Sequence, residues 1–386
     1  MVSSLMRVGI DGIPLRYLKT GVGHYTFEVA RALALDSPSD EFELISPYPF
    51  ISQPGDECEP RWPSNLSAVH VKANLLQRRW WAIGLPRYIK RHPLALYHGT
   101  NFEVPLWKGC ATLLTIHDLS VLLYPEAHEK RFVRRSRLLL PLMARTATMI
   151  LTPSESVRRE VCEHLKVRTA KVFAVPEAAR STFRPLASQE TEATRKRLGV
   201  EDGFLLYVGT IEPRKNLLTL VRALNQVLCE TPLRPQLVIA GKKGWLTDDL
   251  YAYLKESRAA ERVLFTGYVT DEELCALYSS CRAFVYPSLY EGFGLPPLEA
   301  MACGAPVIAS EIPSIKETVG DAARLVDPTD VDALAQSIVR LLEDDGERQH
   351  LSSAGLRRAA QFSWERAARS IREVYEEAIQ RHARIA

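Results

Sequence analysis

Short apolar runs alternate with longer stretches of helical periodicity along this chain. Residues 8–10, 42–46, 95–97, 112–116 and 149–151 are apolar and short enough to be buried strands. A second series follows at residues 204–208, 237–240, 263–265, 283–286 and 307–309. Helical patterns lie between them, at residues 25–33 and 217–228 among others, and the chain ends in one more, from Trp364 on. Strands alternating with helices predict parallel α/β layers. Ser154, Asp330 and Ser363 stand where helices need a cap. The first series closes near residues 183–187, and the polar stretch 188–194 reads as a linker running into a helix. No solenoid-period repeat and no low-complexity tract interrupts the pattern.

At 386 residues the chain is long for a single core, so two domains are expected. Charge supports the division. Residues 1–185 carry 25 Lys and Arg against 17 Asp and Glu, a balance of +8, whereas residues 186–386 carry 24 against 29, a balance of −5. A basic half joined to an acidic half predicts that the first meets something anionic. The seven cysteines form no C-x-x-C pair, which argues for a reducing compartment and against zinc. The N-terminus lacks the apolar core of a signal peptide, and residues 138–151, broken by Arg145, are too short to span a bilayer. The expectation is a cytoplasmic protein, with peripheral attachment at the inner face of a membrane left open.

The segment 288–304 carries the most chemistry. A buried strand, 283–286, runs into the flexible loop Glu291, Gly292, Phe293, Gly294. Pro296 and Pro297 suit the first turn of a helix, where a missing N–H costs little. Gly304 stops that helix after about two turns. In such a unit ligands sit beyond the carboxyl ends of the strands, close to helix N-termini. Glu291 would lie in the loop at that opening, and Glu299 in the first turns of the helix, facing the same crevice. Carboxylates accept paired hydrogen bonds from a vicinal diol, and bare amides of Gly292, Phe293 and Gly294 can hold hydroxyl or phosphate oxygens. The combination suits a polyol joined to a phosphate, which describes a nucleotide sugar. The plainer reading is a helix-dipole contact and a solvated loop acid.

Arg214 and Lys215 follow the strand 204–208 and stand just before the helical run at Leu217. Their charges and the helix N-terminus can together hold a diphosphate, or they are a solvated charged loop. His117 and Asp118 end the strand 112–116. His117 either touches a ligand or bonds to backbone, and Asp118 either holds it or binds locally; His98 is a weaker candidate of the same kind. Gly21 and Gly23 read as a glycine turn able to approach a phosphate or acceptor, but they form no dinucleotide fingerprint. Asp330 and Asp332 look like a metal-binding pair, and we read them instead as helix-start residues. Two stretches, 77–91 and 130–140, each hold five cations and no acid beside Trp, Phe and Leu. They suit the headgroups of an anionic membrane, or are helix faces whose apolar residues are core. Nucleic acid fits poorly, because the net charge is modest and no recognition module is present.

Taken together these segments resemble the family 4 retaining glycosyltransferases of the GT-B fold, the group 1 glycosyl transferases, of mannosyltransferase type. The resemblance rests on Glu291 with Glu299 eight residues on, the turn Glu212, Pro213, Arg214, Lys215, Asn216, the pair His117 and Asp118, and Thr20 with Gly21 and Gly23. It also rests on the segments 265–269, 241–244 and 362–365. It implies an α/β chain with two facing Rossmann-like domains and a cleft between them: residues 1–186 on the acceptor side, 187–365 binding the nucleotide sugar, and 366–386 as a helix crossing back. By that likeness Glu299 would bind the ribose. Glu291 and the amides of Phe293 and Gly294 would hold the sugar, and Lys215 the diphosphate. His117 would approach the sugar from the first domain. Gly292, Leu295, Gly209, Thr210, Gly241, Lys242, Tyr268 and Val269 would complete the donor site, with Gly21, Gly23 and Asp118 on the acceptor side. Many relatives place an arginine directly after the glycine at 209. This chain has Thr210, and Arg214 is the alternative source of the second phosphate charge.

The resemblance further implies transfer with retention, with no resident metal and no cofactor. The implied donor is GDP-mannose, with a UDP-hexose as the alternative, and the implied acceptor is a lipid-linked or cell-surface glycan. A non-catalytic nucleotide- or glycan-binding protein is the second class of reading. An NAD-dependent enzyme is a third, disfavoured by the missing fingerprint.

Overall fold

The computed structural model describes residues 5–16, 21–50, 62–72, 79–107 and 109–384. Of the residues singled out above, Thr20, Gln77 and Arg78 lie outside them. The chain divides into two compact units. One comprises Met1–Leu122, Lys130–Glu177 and Ser363–Ala386; the other comprises Leu123–Glu129 and Ala178–Phe362.

The first unit is built on seven strands: β1 (Arg7–Asp11), β2 (Glu41–Ser46), β3 (Leu66–His70), β4 (Leu96–Gly99), β5 (Ala111–Thr115), β6 (Met149–Thr152) and β7 (Val172–Ala174). They form one parallel sheet in the order β3-β2-β1-β4-β5-β6-β7. The second unit has β8 (Leu205–Val208), β9 (Leu237–Ala240), β10 (Val263–Gly267), β11 (Ala283–Tyr286), β12 (Val307–Ser310) and β13 (Arg324–Val326). These six are also parallel, in the order β10-β9-β8-β11-β12-β13. Each order runs outward from the unit's first strand in two directions, the doubly wound, Rossmann-like arrangement. It opens a crevice where the direction reverses, between β1 and β4 in one unit and between β8 and β11 in the other.

The central strands are legible because a parallel sheet is covered on both faces, so its strands are apolar throughout. Every residue of β4, β5, β6, β9, β11 and β12 is buried. Three outer strands, β3, β7 and β13, are not among the expected ones, although β7 carries the apolar run at residues 172–175. β3 keeps only Leu66 buried.

Two local expectations are corrected. Gly21 and Gly23 are not a turn ahead of a helix but part of the first turn of the helix Gly21–Asp36. Residues 188–194 are not a linker: the helix Ser188–Leu198 begins at Ser188 itself, and the side chain of Glu190 accepts from the Ala187 amide. The three expected caps are present. Ser154, Asp330 and Ser363 accept from the amides of Val157, Ala333 and Arg366.

The last helix, Trp364–Ala383, belongs to the first unit and packs on the Gly21–Asp36 helix and on β4 and β5. It buries Trp364, Ala367, Ala368, Ile371, Val374, Tyr375 and Ala378, a single helical stripe. Tyr375 ends that stripe on a polar contact. Its hydroxyl lies 2.9 Å from His98 Nδ1, and His98 Nε2 lies 2.8 Å from Thr115 Oγ1. His98 is fully buried, and burial together with the charge of His117 pushes its pKa down to about 3, so the ring is neutral. His98 is thus a packing residue that ties the last helix to the sheet. Tyr375→Phe strands a buried ring nitrogen and should cost about 1–3 kcal/mol in urea denaturation without altering the helix content.

Candidate functional site

The turn after β8 and the loop after β11 meet at the crevice of the second sheet, because β8 and β11 are neighbours there. Backbone and side chain both lock the meeting. The Leu289 amide donates to the Arg214 carbonyl at 2.9 Å. Asn216 adopts a left-handed conformation (φ 58°) and donates from its amide nitrogen to the carbonyls of Pro287 and Pro328, at 3.0 and 2.7 Å. Its side-chain oxygen accepts from Thr219 in the first turn of the helix Leu217–Glu230. Arg214 and Lys215 are therefore held on a fixed turn, not a solvated loop.

Four charges gather there. Lys215 Nζ donates to Glu291 Oε1 at 2.5 Å and to the Tyr286 hydroxyl at 3.0 Å. Arg214 donates to Glu291 Oε2 at 3.1 Å, to the Tyr290 carbonyl at 2.8 Å and to Glu212 Oε1 at 2.6 Å. The Tyr286 hydroxyl donates to Glu291 Oε1 at 2.8 Å. Glu212 and Glu291 are buried, with 7% and 8% of their surface exposed. Two cations and two carboxylates balance, and a buried charge survives only when balanced in this way. Burial alone would raise the Glu291 pKa, but Lys215 and then Arg214 outweigh it and hold it at about 2. Lys215 is shifted down, first by burial and then by Arg214.

The neighbouring loops of the same sheet edge carry the other expected donor residues. Gly209 and Gly241 end β8 and β9, and a methyl group on Gly241 would sit 2.0 Å from the Gly209 carbonyl oxygen. Glycine is thus required there by close backbone approach. Thr210 is half-buried, Lys242 is exposed, Tyr268 is half-exposed and Val269 is buried. Leu295 opens the helix Leu295–Ala302, with Pro296 and Pro297 in its first turn as expected. The carbonyls of Glu291 and Phe293 accept from Ser314 and Thr318. The amides of Phe293 and Gly294 find no acceptor among the described residues, and they point a helix N-terminus at whatever enters. Gly292, between them and Glu291, keeps the loop free of side chain.

Glu299 is buried one turn into that helix and belongs to a different cluster. Its Oε1 accepts from Arg180 Nε and Nη2, both at 3.2 Å, and Arg180 Nη1 pairs with Asp271. Neither Arg180 nor Asp271 carries a sequence signal. Tyr124 and Trp245 add another unforeseen feature. Tyr124, in the segment Leu123–Glu129, lays its ring 5.3 Å from that of Tyr290, and Trp245 donates to the Ala127 carbonyl at 2.7 Å.

In the first unit, His117 is held at both nitrogens. Nε2 lies 2.8 Å from the Thr100 carbonyl, and Nδ1 lies 3.4 Å from Glu177 Oε1. Two acceptors suit a ring that donates twice. Burial lowers its pKa, but Glu177 and the Thr100 carbonyl outweigh burial and raise it. His117 makes the backbone bond of the plainer expectation, to Thr100, beside its contact with Glu177. Asp118 binds locally, accepting from the Ser120 amide at 2.8 Å. Gly23 is buried inside its helix, and Gly21 is exposed with open space around it.

In the stretch 77–91 the described apolar residues are core. Trp80, Leu85 and Ile89 are buried, and Tyr88 donates to Glu43. Trp81, Ile83 and Tyr88 are half-buried, so most of the apolar surface of that stretch is turned to the core. The second stretch forms the helix Lys130–Thr146 and leaves Phe132, Leu138 and Leu142 exposed.

The charge cluster has a signature in pH. Glu291 has a folded-state pKa below the ordinary carboxylate value of 4.5, so its pairing stabilises the fold fully above that pH and is lost toward about pH 2. His98 adds acid lability of its own between about pH 6.5 and 3, because the unfolded chain takes up a proton that the buried ring refuses. Glu291→Gln should therefore flatten the stability profile below pH 4.5 and leave the slope above it unchanged, as followed by denaturant midpoints across pH 2–7.

Known proteins resemble this chain in sequence and in fold. Residues 188–358 match the family model described as glycosyl transferases group 1, and residues 20–179 match glycosyltransferase family 4. The O-antigen chain mannosyltransferase B of Escherichia coli is 36% identical over 362 residues, which cover 91% of this chain and 94% of that protein. Sucrose-phosphate synthase from Thermosynechococcus elongatus superposes with a TM-score of 0.75 at 24% identity, covering 96% of this chain and 98% of that one. Anabaena HepE, solved in complex with UDP-glucose, superposes with a TM-score of 0.74 at 17% identity, covering 96% of this chain and all (100%) of that one. With the family models spanning both series of strands and a relative aligned along nearly its whole length, this chain belongs to the family 4, group 1 glycosyltransferases of GT-B fold.

Proposed function

We propose that this glycosyltransferase moves mannose from GDP-mannose, with retention at the anomeric carbon, onto a lipid-linked or cell-surface glycan. The single observation that carries the transfer chemistry is the cluster of Arg214, Lys215 and Glu291 at the crevice between β8 and β11. The name of the Escherichia coli relative, an O-antigen chain mannosyltransferase, supports the sugar and the kind of acceptor.

The cluster is neutral before the donor arrives. A diphosphate would draw Lys215 and Arg214 onto its oxygens, releasing Glu291 to the hydroxyls of the sugar. The Phe293 and Gly294 amides would hold that sugar from the helix end, and Glu299 would take the ribose. As the bond from the anomeric carbon to the phosphate oxygen breaks, its electron pair goes to the diphosphate, where the two cations meet the growing charge. The acceptor oxygen forms the new bond on the same face. Its proton passes to the departing phosphate oxygen, so no protein base is needed. Because two fixed cations supply the charge, the proposal includes no resident metal and no cofactor. His117, already bonded at both nitrogens, keeps in this proposal only a place on the acceptor-side unit.

A UDP-hexose donor is the second reading, favoured by the Anabaena protein solved with UDP-glucose. A non-catalytic binding protein is disfavoured, since Glu291, Lys215 and Glu299 are all present. For attachment to a membrane, the helix Lys130–Thr146 is the better candidate. It sets Lys130, Arg131, Arg134 and Arg137 beside exposed Phe132, Leu138 and Leu142, a combination that fits anionic headgroups.

Three outcomes check these readings. GDP at about 100 times its Kd should raise stability by about 2.7 kcal/mol in a thermal scan, and a shift from UDP alone would transfer the proposal to the second donor. Lys215→Met and Glu291→Gln, close in shape to the residues they replace, should each lower kcat about 10²-fold or more in a donor-consumption assay, with circular dichroism checking that each variant folds; wild-type rates in both would sink the site. Leu138→Ser with Phe132→Ser should weaken co-sedimentation with anionic vesicles at least threefold while the secondary structure is kept, and unchanged pelleting would remove the helix as a contact.

A further inference from the structure

Arg180 is the residue near the candidate site whose environment the transfer chemistry leaves unexplained. It stands on the chain between β7 and β8, inside the second unit, and only 8% of its surface is exposed. One edge of its guanidinium, Nε and Nη2, bonds to Glu299 Oε1 at 3.2 Å from each nitrogen. Nη1 pairs with Asp271. The face lies over the Phe183 ring, 4.5 Å from its centre. Asp271 opens the helix Asp271–Ser280, which is itself fixed by a capping box between Thr270 and Glu273. A planar fork is thus held by a carboxylate, an aromatic face and a second carboxylate that sits on a pinned helix end.

Glu299 needs such a support. Its helix, Leu295–Ala302, has only two turns, and a glutamate has three side-chain torsions to order. Recognition of a diol requires the carboxylate plane to be set before the ligand arrives. Both nitrogens of the fork end on one oxygen of Glu299, which pins the position of that oxygen through a charge-assisted contact. Among the described contacts one cation, Arg180, meets two carboxylates, a balance that favours hydroxyl donors over a phosphate. The Arg214 and Lys215 cluster differs, since it balances to zero and can give its cations to an anion. Tyr268, half-exposed, lies close enough to sense both Asp271 and Arg180, so the clamp borders the segment expected to meet the donor.

We propose that Arg180, braced by Asp271 and Phe183, is a positioning residue that orients Glu299 to receive the ribose hydroxyls of the donor nucleotide. The proposal rests on the reading of Glu299 as the ribose ligand, and the test separates the two. Binding of GDP and of UDP to the full chain is measured by calorimetry, each beside its 2′-deoxy analogue. Wild type should prefer the ribonucleotide by about tenfold, because a site built to hydrogen-bond a hydroxyl rejects a ligand lacking it. Arg180→Gln should reduce that preference to within about twofold, Arg180→Lys should keep part of it, and Asp271→Asn should fall between. In transfer assays Arg180→Gln should raise the donor KM about tenfold and change kcat by less than about threefold. Equal weakening of ribo and deoxy ligands in Arg180→Gln, or an unchanged ratio, would overturn the proposal. Should Arg180→Gln fail to fold, an unchanged ratio in Asp271→Asn overturns it instead. A wild type blind to the 2′-hydroxyl would overturn the assignment of Glu299 itself, and this proposal with it.

Discussion

A buried carboxylate with two cations on it governs the second unit. Glu291 sits at the reversal point of the strand order, in a place where water cannot compensate its charge. Removing either cation would leave a charge bare, at a cost of about 3–5 kcal/mol for a buried pair. The cluster therefore forces the turn after β8 and the loop after β11 into one geometry. Asn216 and the Leu289 amide hold the same two segments together without charge, so the ion pairs are not asked to do so alone. Pairing of β8 with β11 is what permits all of this, since it makes neighbours of residues about 76 positions apart.

Two acidic positions eight residues apart thus have different electrostatic company. Glu291 is matched by Lys215 and Arg214 and shares them with Glu212, and the group is neutral. Glu299 shares one arginine with Asp271. In the proposed function the first group exchanges partners with an anion and the second takes hydroxyls. A donor that joins a diphosphate to two polyols, ribose and hexose, presents both chemistries at once. The family to which the chain belongs transfers sugars, and the distribution of charge along this sheet edge fits that kind of ligand.

The first unit shows how environment separates identical side chains. His98 and His117 end adjacent strands, and both are buried. His98 has a hydroxyl on each nitrogen, so burial wins and the ring stays neutral. His117 has a carbonyl and a carboxylate, so it is drawn toward the cation. One anchors the last helix, and the other joins the end of β5 to Glu177.

Most of the sheet architecture could be read directly from residue order. Strands covered on both faces must be apolar throughout, caps need an oxygen at one position, and the Pro296 and Pro297 pair suits a helix start. These are constraints on neighbours in the chain, so a linear pattern records them. β3 and β13 left no such record because polar residues break their runs, and the short apolar run of β7 at residues 172–175 was not among the expected strands. The residues of the two charge clusters divide in the same way. Glu291, Lys215 and Glu299 stood out through the local motifs around them. Arg180, Asp271 and Glu177 did not, since the bonds that define them span 119, 91 and 60 residues. A charged side chain looks solvated in sequence until folding brings its counter-charge. Residue order alone determined most of the strands, the caps and the glycine-proline loop, because these depend on near neighbours, whereas which charges meet was decided by tertiary folding, which brings together residues far apart in the chain.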